Sequence, residues 1–141
     1  MNLQNKRVYL SAPLRASSEA AKENSILKVK KYDQILNNTF QCEVIAPHLL
    51  FYGMYDDDIP TEREKMLEEG LKLLRTCDAM VICSDRITDG MLREMIEAAY
   101  CRIPAFFLCE SEDKRQAVLY ECCIDDIKLG LIHLSLKTVN C

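Results

Sequence analysis

The stretch AMVICSDRITDGMLREMIEAAYCRIPAFFLCE, residues 79–110, decides the fold. Its two ends are short, nearly continuous apolar runs of strand length, the pattern of strands covered on both faces. Between them, Thr88 and Asp89 are natural N-cap residues, and a helical pattern follows Gly90. Strands joined through a helix run parallel, and the crossover is right-handed.

The same alternation extends outward. RVYLSAP (7–13), CEVIAP (42–47) and LGLIHLSL (129–136) read as further strands. A first helix is expected from about Ser17 to Asn38, with Ile26, Val29, Ile35 and Leu36 at helical spacing. A second is expected to begin at Thr61, where Thr61-Glu62-Arg63-Glu64 reads as a capping box. A weaker fourth covers Asp113 to Cys123. The expected fold is α/β: a single domain over residues 1–141, a three-layer sandwich around a parallel, roughly five-stranded sheet of flavodoxin-like or Rossmann-like type. At 141 residues one core suffices. The longest irregular piece, His48 to Pro60, is the candidate lid.

Composition narrows the function classes. With 49% hydrophobic and 28% charged residues, the chain reads as an ordinary globular protein. A net charge of -4 argues against a nucleic-acid partner, which calls for a basic stripe, and favours a small molecule. No apolar run approaches the roughly 20 residues of a membrane span. The polar start MNLQNKR lacks the apolar segment of a signal peptide, so a cytoplasmic location is expected. Of eight cysteines, Cys42, Cys77, Cys83, Cys101 and Cys109 lie in or beside apolar runs and no C-x-x-C pair occurs; reduced thiols are expected. Asp56, Asp57 and Asp58 are consecutive and cannot all face one ion, so they read as an exposed acidic turn. Neither a metal nor a cofactor is called for.

In an open parallel sheet, ligands bind outside the carboxyl ends of the strands. The exits to examine are Ser11 to Arg15, Pro47 and His48, Ser84 to Gly90, and Glu110 to Asp113. None carries a glycine-rich phosphate loop, so the ligand must be read by side chains.

VYLSAPLR (8–15), LLRTCDAMVICSD (73–85) and TDGMLREMIEAAYCRIP (88–104) together resemble the nucleoside 2-deoxyribosyltransferase-like superfamily, closest to its uncharacterised bacterial and phage members. Tyr9, Asp78, Gly90, Glu94, Ala98 and Pro104 stand where that family has its characteristic residues. The resemblance implies Glu94 as a nucleophile, Tyr9 as the residue that orients it, and Thr88 and Arg15 as phosphate contacts. It also implies a homo-oligomer. One position departs: Gly70 stands where active members have an Asp that helps protonate the leaving base.

The chemistry explains these residue types. Cleaving an N-glycosidic bond passes through an oxocarbenium-like state that a nearby carboxylate can capture, and a second group must protonate the departing base. A helix N-terminus would favour a charged Glu94. His48 and Asp85 are the candidate acids. Ser11, Pro13, Arg15, Thr88, Asp89 and Gly90 are candidate substrate contacts. Blander readings stand beside these. Tyr9 also fits a core aromatic, His48 a residue that closes a strand end, and Thr88 and Asp89 a simple helix cap. Asp78 reads as a structural pin for the turn into the third strand. His133 falls by alternation in a strand without chemistry. The expected function is a nucleotide- or nucleoside-binding N-glycosidase or glycosyl transferase acting through Glu94, with another N-glycoside such as NAD also open. The alternative is a non-catalytic nucleotide-sensing module, which Gly70 favours.

Overall fold

The computed structural model of the chain describes residues 2–13, 18–56, 58–111, 113, 116–122 and 136–138. The elements run β1 (Arg7–Ser11), α1 (Glu19–Asn38), β2 (Glu43–Ile45), α2 (Pro47–Phe51), α3 (Pro60–Leu74), β3 (Ala79–Ile82), α4 (Asp89–Tyr100), β4 (Ala105–Glu110), β5 (Ala117–Cys122) and β6 (Leu136–Thr138). They build an α/β fold on one sheet of order β2-β1-β3-β4-β5-β6, in which β2, β1, β3 and β4 are parallel.

Alternation along β1 divides the core into two layers. Val8 and Leu10 pack on one face with Val29 and Leu36 of α1. Tyr9 faces the other way, into a cluster with Leu74 of α3 and Met91, Met95 and Ala98 of α4. β3 is buried along its whole length, as its unbroken apolar run requires. The chain leaves β1 through α1 on one face and reaches β3 through α3 on the other. The crossover direction therefore reverses between β1 and β3, and that edge is where a crevice forms.

Three expectations are corrected. Residues 113–123 were expected to form a helix, yet β5 pairs antiparallel with β4, Leu108 opposite Leu119. The connection is short and closed by Ser111, whose amide donates to the Gln116 carbonyl at 2.8 Å and whose hydroxyl accepts from the Gln116 amide at 3.1 Å. A hairpin of that length returns the chain antiparallel, and β6 extends it antiparallel again. The sheet is thus mostly parallel with an antiparallel edge; the expected strand at 129–136 lies outside the described residues except for Leu136. Second, Thr61 does not cap α3: the cap is Ile59, without a side-chain bond, and Pro60 takes the first helical position, where its fixed φ is already helical. Third, the expected irregular segment after His48 opens with the short helix α2.

Asp78 pins the strand entries. The Arg7 amide donates to Asp78 Oδ2 at 2.8 Å, and the Asp78 amide returns a bond of 2.7 Å to the Arg7 carbonyl. Removing the carboxylate leaves the Arg7 amide without its charged acceptor. Asp78→Ala should therefore lower stability by about 1–3 kcal/mol in urea unfolding, with an unchanged m-value; an unshifted midpoint would remove this pin from the account.

Candidate functional site

β1 and α4 bring the central groups together. Tyr9 and Ser11 are two residues apart on a strand and so share the face that α4 covers. Glu94 projects from α4 toward them. Ser11 Oγ donates to Glu94 Oε1 at 3.0 Å, and Ser11 and Glu94 are the buried polar residues of the described core. The Tyr9 hydroxyl hydrogen-bonds the same carboxylate. Thr88 caps α4, its hydroxyl accepting from the Met91 amide at 3.3 Å.

Glu94 is the floor of a cavity of about 430 Å³ at the β1/β3 edge. Thr88, Asp89 and Gly90 line its α4 side, with Pro47, His48 and Phe51 opposite. α3 closes it with Arg63, Met66, Leu67 and Gly70. The arginines Arg63 and Arg86 both line it, and neither makes an ion pair among the described residues. Sequence reading passed over both. Arg63 was absorbed into a supposed capping box, while Arg86, a cation between a strand exit and a helix cap, was a usable signal.

Burial sets the proton affinities. Desolvation raises Glu94 to about 7, against the lowering effect of the Tyr9 and Ser11 hydrogen bonds. The expectation that the helix N-terminus would keep Glu94 charged is overturned: Glu94 lies beyond the first turn of α4, where the dipole has faded. Tyr9 is raised well above 10 by burial and then by the Glu94 charge. His48 is lowered to about 4 by burial, opposed by the Ala12 carbonyl, so its ring is neutral at pH 7. Its buried Nδ1 has no hydrogen-bond partner.

The remaining expected residues are elsewhere. Asp85 and Pro13 line a separate cavity on the α1 side of the sheet edge, so Asp85 is not an acid beside Glu94. Ser11 lies behind Glu94 rather than on the cavity wall. Arg15 is outside the described residues, and Asp57 likewise. Gly70 has a steric cause: a Cβ there would stand 2.9 Å from the Tyr9 hydroxyl. Among the described residues no group of three potential ligands could hold a metal ion, and no helix is long and apolar enough to cross a membrane.

The Glu94 proton affinity makes a stability prediction. Its pKa is higher folded than the ordinary 4.5, so the folded chain binds this proton more tightly than the unfolded chain. Stability from this group is full below about pH 4.5 and is lost as pH rises through about 7. Glu94→Gln never ionises. Its advantage over the wild type in thermal unfolding should be smallest near pH 4.5 and grow to of order 3 kcal/mol by pH 8. A pH-independent difference would show that Glu94 is not desolvated as described.

Over residues 6–108 the chain matches the family described as Domain of unknown function (DUF7768). No curated protein matches it. Among solved structures it is similar to a 2-deoxyribosyltransferase from the psychrotolerant bacterium Bacillus psychrosaccharolyticus, described as a biocatalyst for nucleoside synthesis. The identity is 16% and the TM-score 0.54, covering 72% of this chain and 70% of that one. The fold is accordingly nucleoside 2-deoxyribosyltransferase-like. With the family matched over most of its length, the chain belongs to the family of the Domain of unknown function DUF7768.

Proposed function

We propose that this protein binds a nucleoside or nucleotide and cleaves its N-glycosidic bond, with Glu94 as the nucleophile. The observation that carries this reading is the Glu94 carboxylate itself, buried at the floor of a cavity and held by Tyr9 and Ser11. Fixed carboxylates capture oxocarbenium-like centres, and the switch point of an open sheet is where such folds take their ligands. The likeness of fold to an enzyme of nucleoside synthesis points the same way. In this reading Tyr9 orients Glu94, His48 and Phe51 face the base, and Thr88, Asp89 and Gly90 meet the remainder of the substrate.

A nucleophile must be ionised, so kcat/KM should climb as pH rises through about 7 and level off above it. Incubating the wild type with deoxynucleosides and their monophosphates, and following free base by chromatography, is the direct test. Release should fall by at least about a thousandfold in Glu94→Gln while binding survives, the pattern of an interaction made only in the transition state.

A non-catalytic sensor is favoured by one observation, Gly70 in place of an acid. It would bind nucleotide with wild type and variant alike and release no base. The reading also includes one domain acting in the cytoplasm as a homo-oligomer. The support for assembly is the exposure of Leu50, Tyr52, Met54 and Ile59, four large apolar side chains within and after α2; exposed apolar surface marks interaction sites where it is contiguous. Light scattering should give a mass of at least twice 16.2 kDa. A monomer at micromolar concentration would count against assembly.

A further inference from the structure

We propose that the site takes a dinucleotide carrying an N-ribosyl pyridinium and releases the neutral pyridine from it. This assignment rests on the Glu94 reading and names its substrate class.

The first support is shape. Two cavities flank the β1/β3 edge. The Glu94 cavity lies on the α3 and α4 side. A second, of about 450 Å³, lies on the α1 side and is lined by Lys28, Tyr32, Asp85 and Glu110 among others. They share Ala12 and Arg86. Each falls within the ~300–1,000 Å³ range of ligand pockets. A ligand of two nucleotide-sized halves fits the pair, with its linker crossing at Arg86. That guanidinium has no carboxylate partner among the described residues and suits a pyrophosphate bidentately. In the second cavity the Tyr32 ring offers a face to a base, and Asp85 and Glu110 can accept from ribose hydroxyls.

The second support is the leaving group. A purine or pyrimidine departs with the bonding electron pair as an anion and needs a proton. The described residues lining the Glu94 cavity hold no buried acid ready to give one. His48 is neutral, the Tyr9 proton is held toward Glu94, and Asp89 stands exposed at the rim. Position 70, on the cavity wall, is a glycine and supplies no acid. A pyridinium needs no acid, because the departing electron pair cancels its positive charge. It also supplies the cation that buried Glu94 lacks; the groups acting on that carboxylate are Tyr9 and Ser11.

The step balances. The Glu94 carboxylate forms a bond to C1′ as the C1′–N bond breaks, and the electron pair of that bond returns to the ring, giving neutral pyridine. Water then adds its oxygen to C1′, the ester to Glu94 breaks, and one proton leaves to solvent. No external oxidant or reductant is involved.

The probes are NAD, nicotinamide riboside, and the neutral deoxynucleosides deoxyadenosine and deoxycytidine, with base release followed by chromatography. NAD should lose nicotinamide, and Glu94→Gln should abolish the reaction. The pH profile should rise through about 7 with no alkaline fall, since no acid has to stay protonated. Arg86→Ala should raise the KM for NAD about tenfold or more, and by clearly more than it raises that for nicotinamide riboside, a difference that a general loss of folding would not produce. Release of adenine or cytosine in preference to nicotinamide overturns this inference and leaves the Glu94 reading standing. No release from any probe overturns both. Equal sensitivity of NAD and riboside to Arg86→Ala overturns the two-part ligand.

Discussion

A carboxylate withdrawn from water has to be met by donors, and Glu94 meets them on a single strand. The alternation of β1 sends Val8 and Leu10 toward α1 and Tyr9 and Ser11 toward α4. A register slip of one residue would reverse both assignments at once, placing valine and leucine against the carboxylate and two hydroxyls in the apolar α1 layer. Packing and site are therefore one constraint. The reciprocal bonds between Arg7 and Asp78 fix the start of β1 relative to β3, and so set the register on which the site depends.

The electrostatics of the site follow from depth more than from helix polarity. Glu94 sits past the first turn of α4, beyond the strongest influence of its N-terminus, and the two hydroxyl contacts do not offset its loss of solvent. The carboxylate is left near the midpoint of its titration at neutral pH. Such a group responds strongly to whatever charge enters the cavity, and a cationic ligand would ionise it at the moment of binding. His48 is the opposite case, a ring whose burial lowers its proton affinity, with a buried Nδ1 that has no hydrogen-bond partner.

What the sequence made legible was local. The run from Ala79 to Glu110 declares strand, capped helix and strand without help from the rest of the chain, and α1 and α4 began within two residues of expectation. Tyr9, Ser11 and Glu94 could be grouped because they sit at strand exits or in the helix that covers them. Asp85 was placed wrongly because a strand exit does not tell which face of the sheet a side chain after it will take. β5 was mistaken for a helix because a short apolar segment has no decisive period, and only its pairing with β4 settles it. Arg63 and Arg86 reach the cavity from different elements, a convergence that exists only once the chain is folded.

Gly70 shows how far a residue's meaning depends on its neighbour in space. In the sequence it is a departure from the pattern of the family that the chain resembles. In the fold it is the clearance that lets the Tyr9 hydroxyl stand where a side chain would otherwise be, 2.9 Å from the place of a Cβ. A larger residue at position 70 would require a local shift, and the atom it meets is the far end of the Tyr9 side chain. The clearance at position 70 and the placement of the Tyr9 hydroxyl are one local arrangement, set by how closely α3 lies against β1.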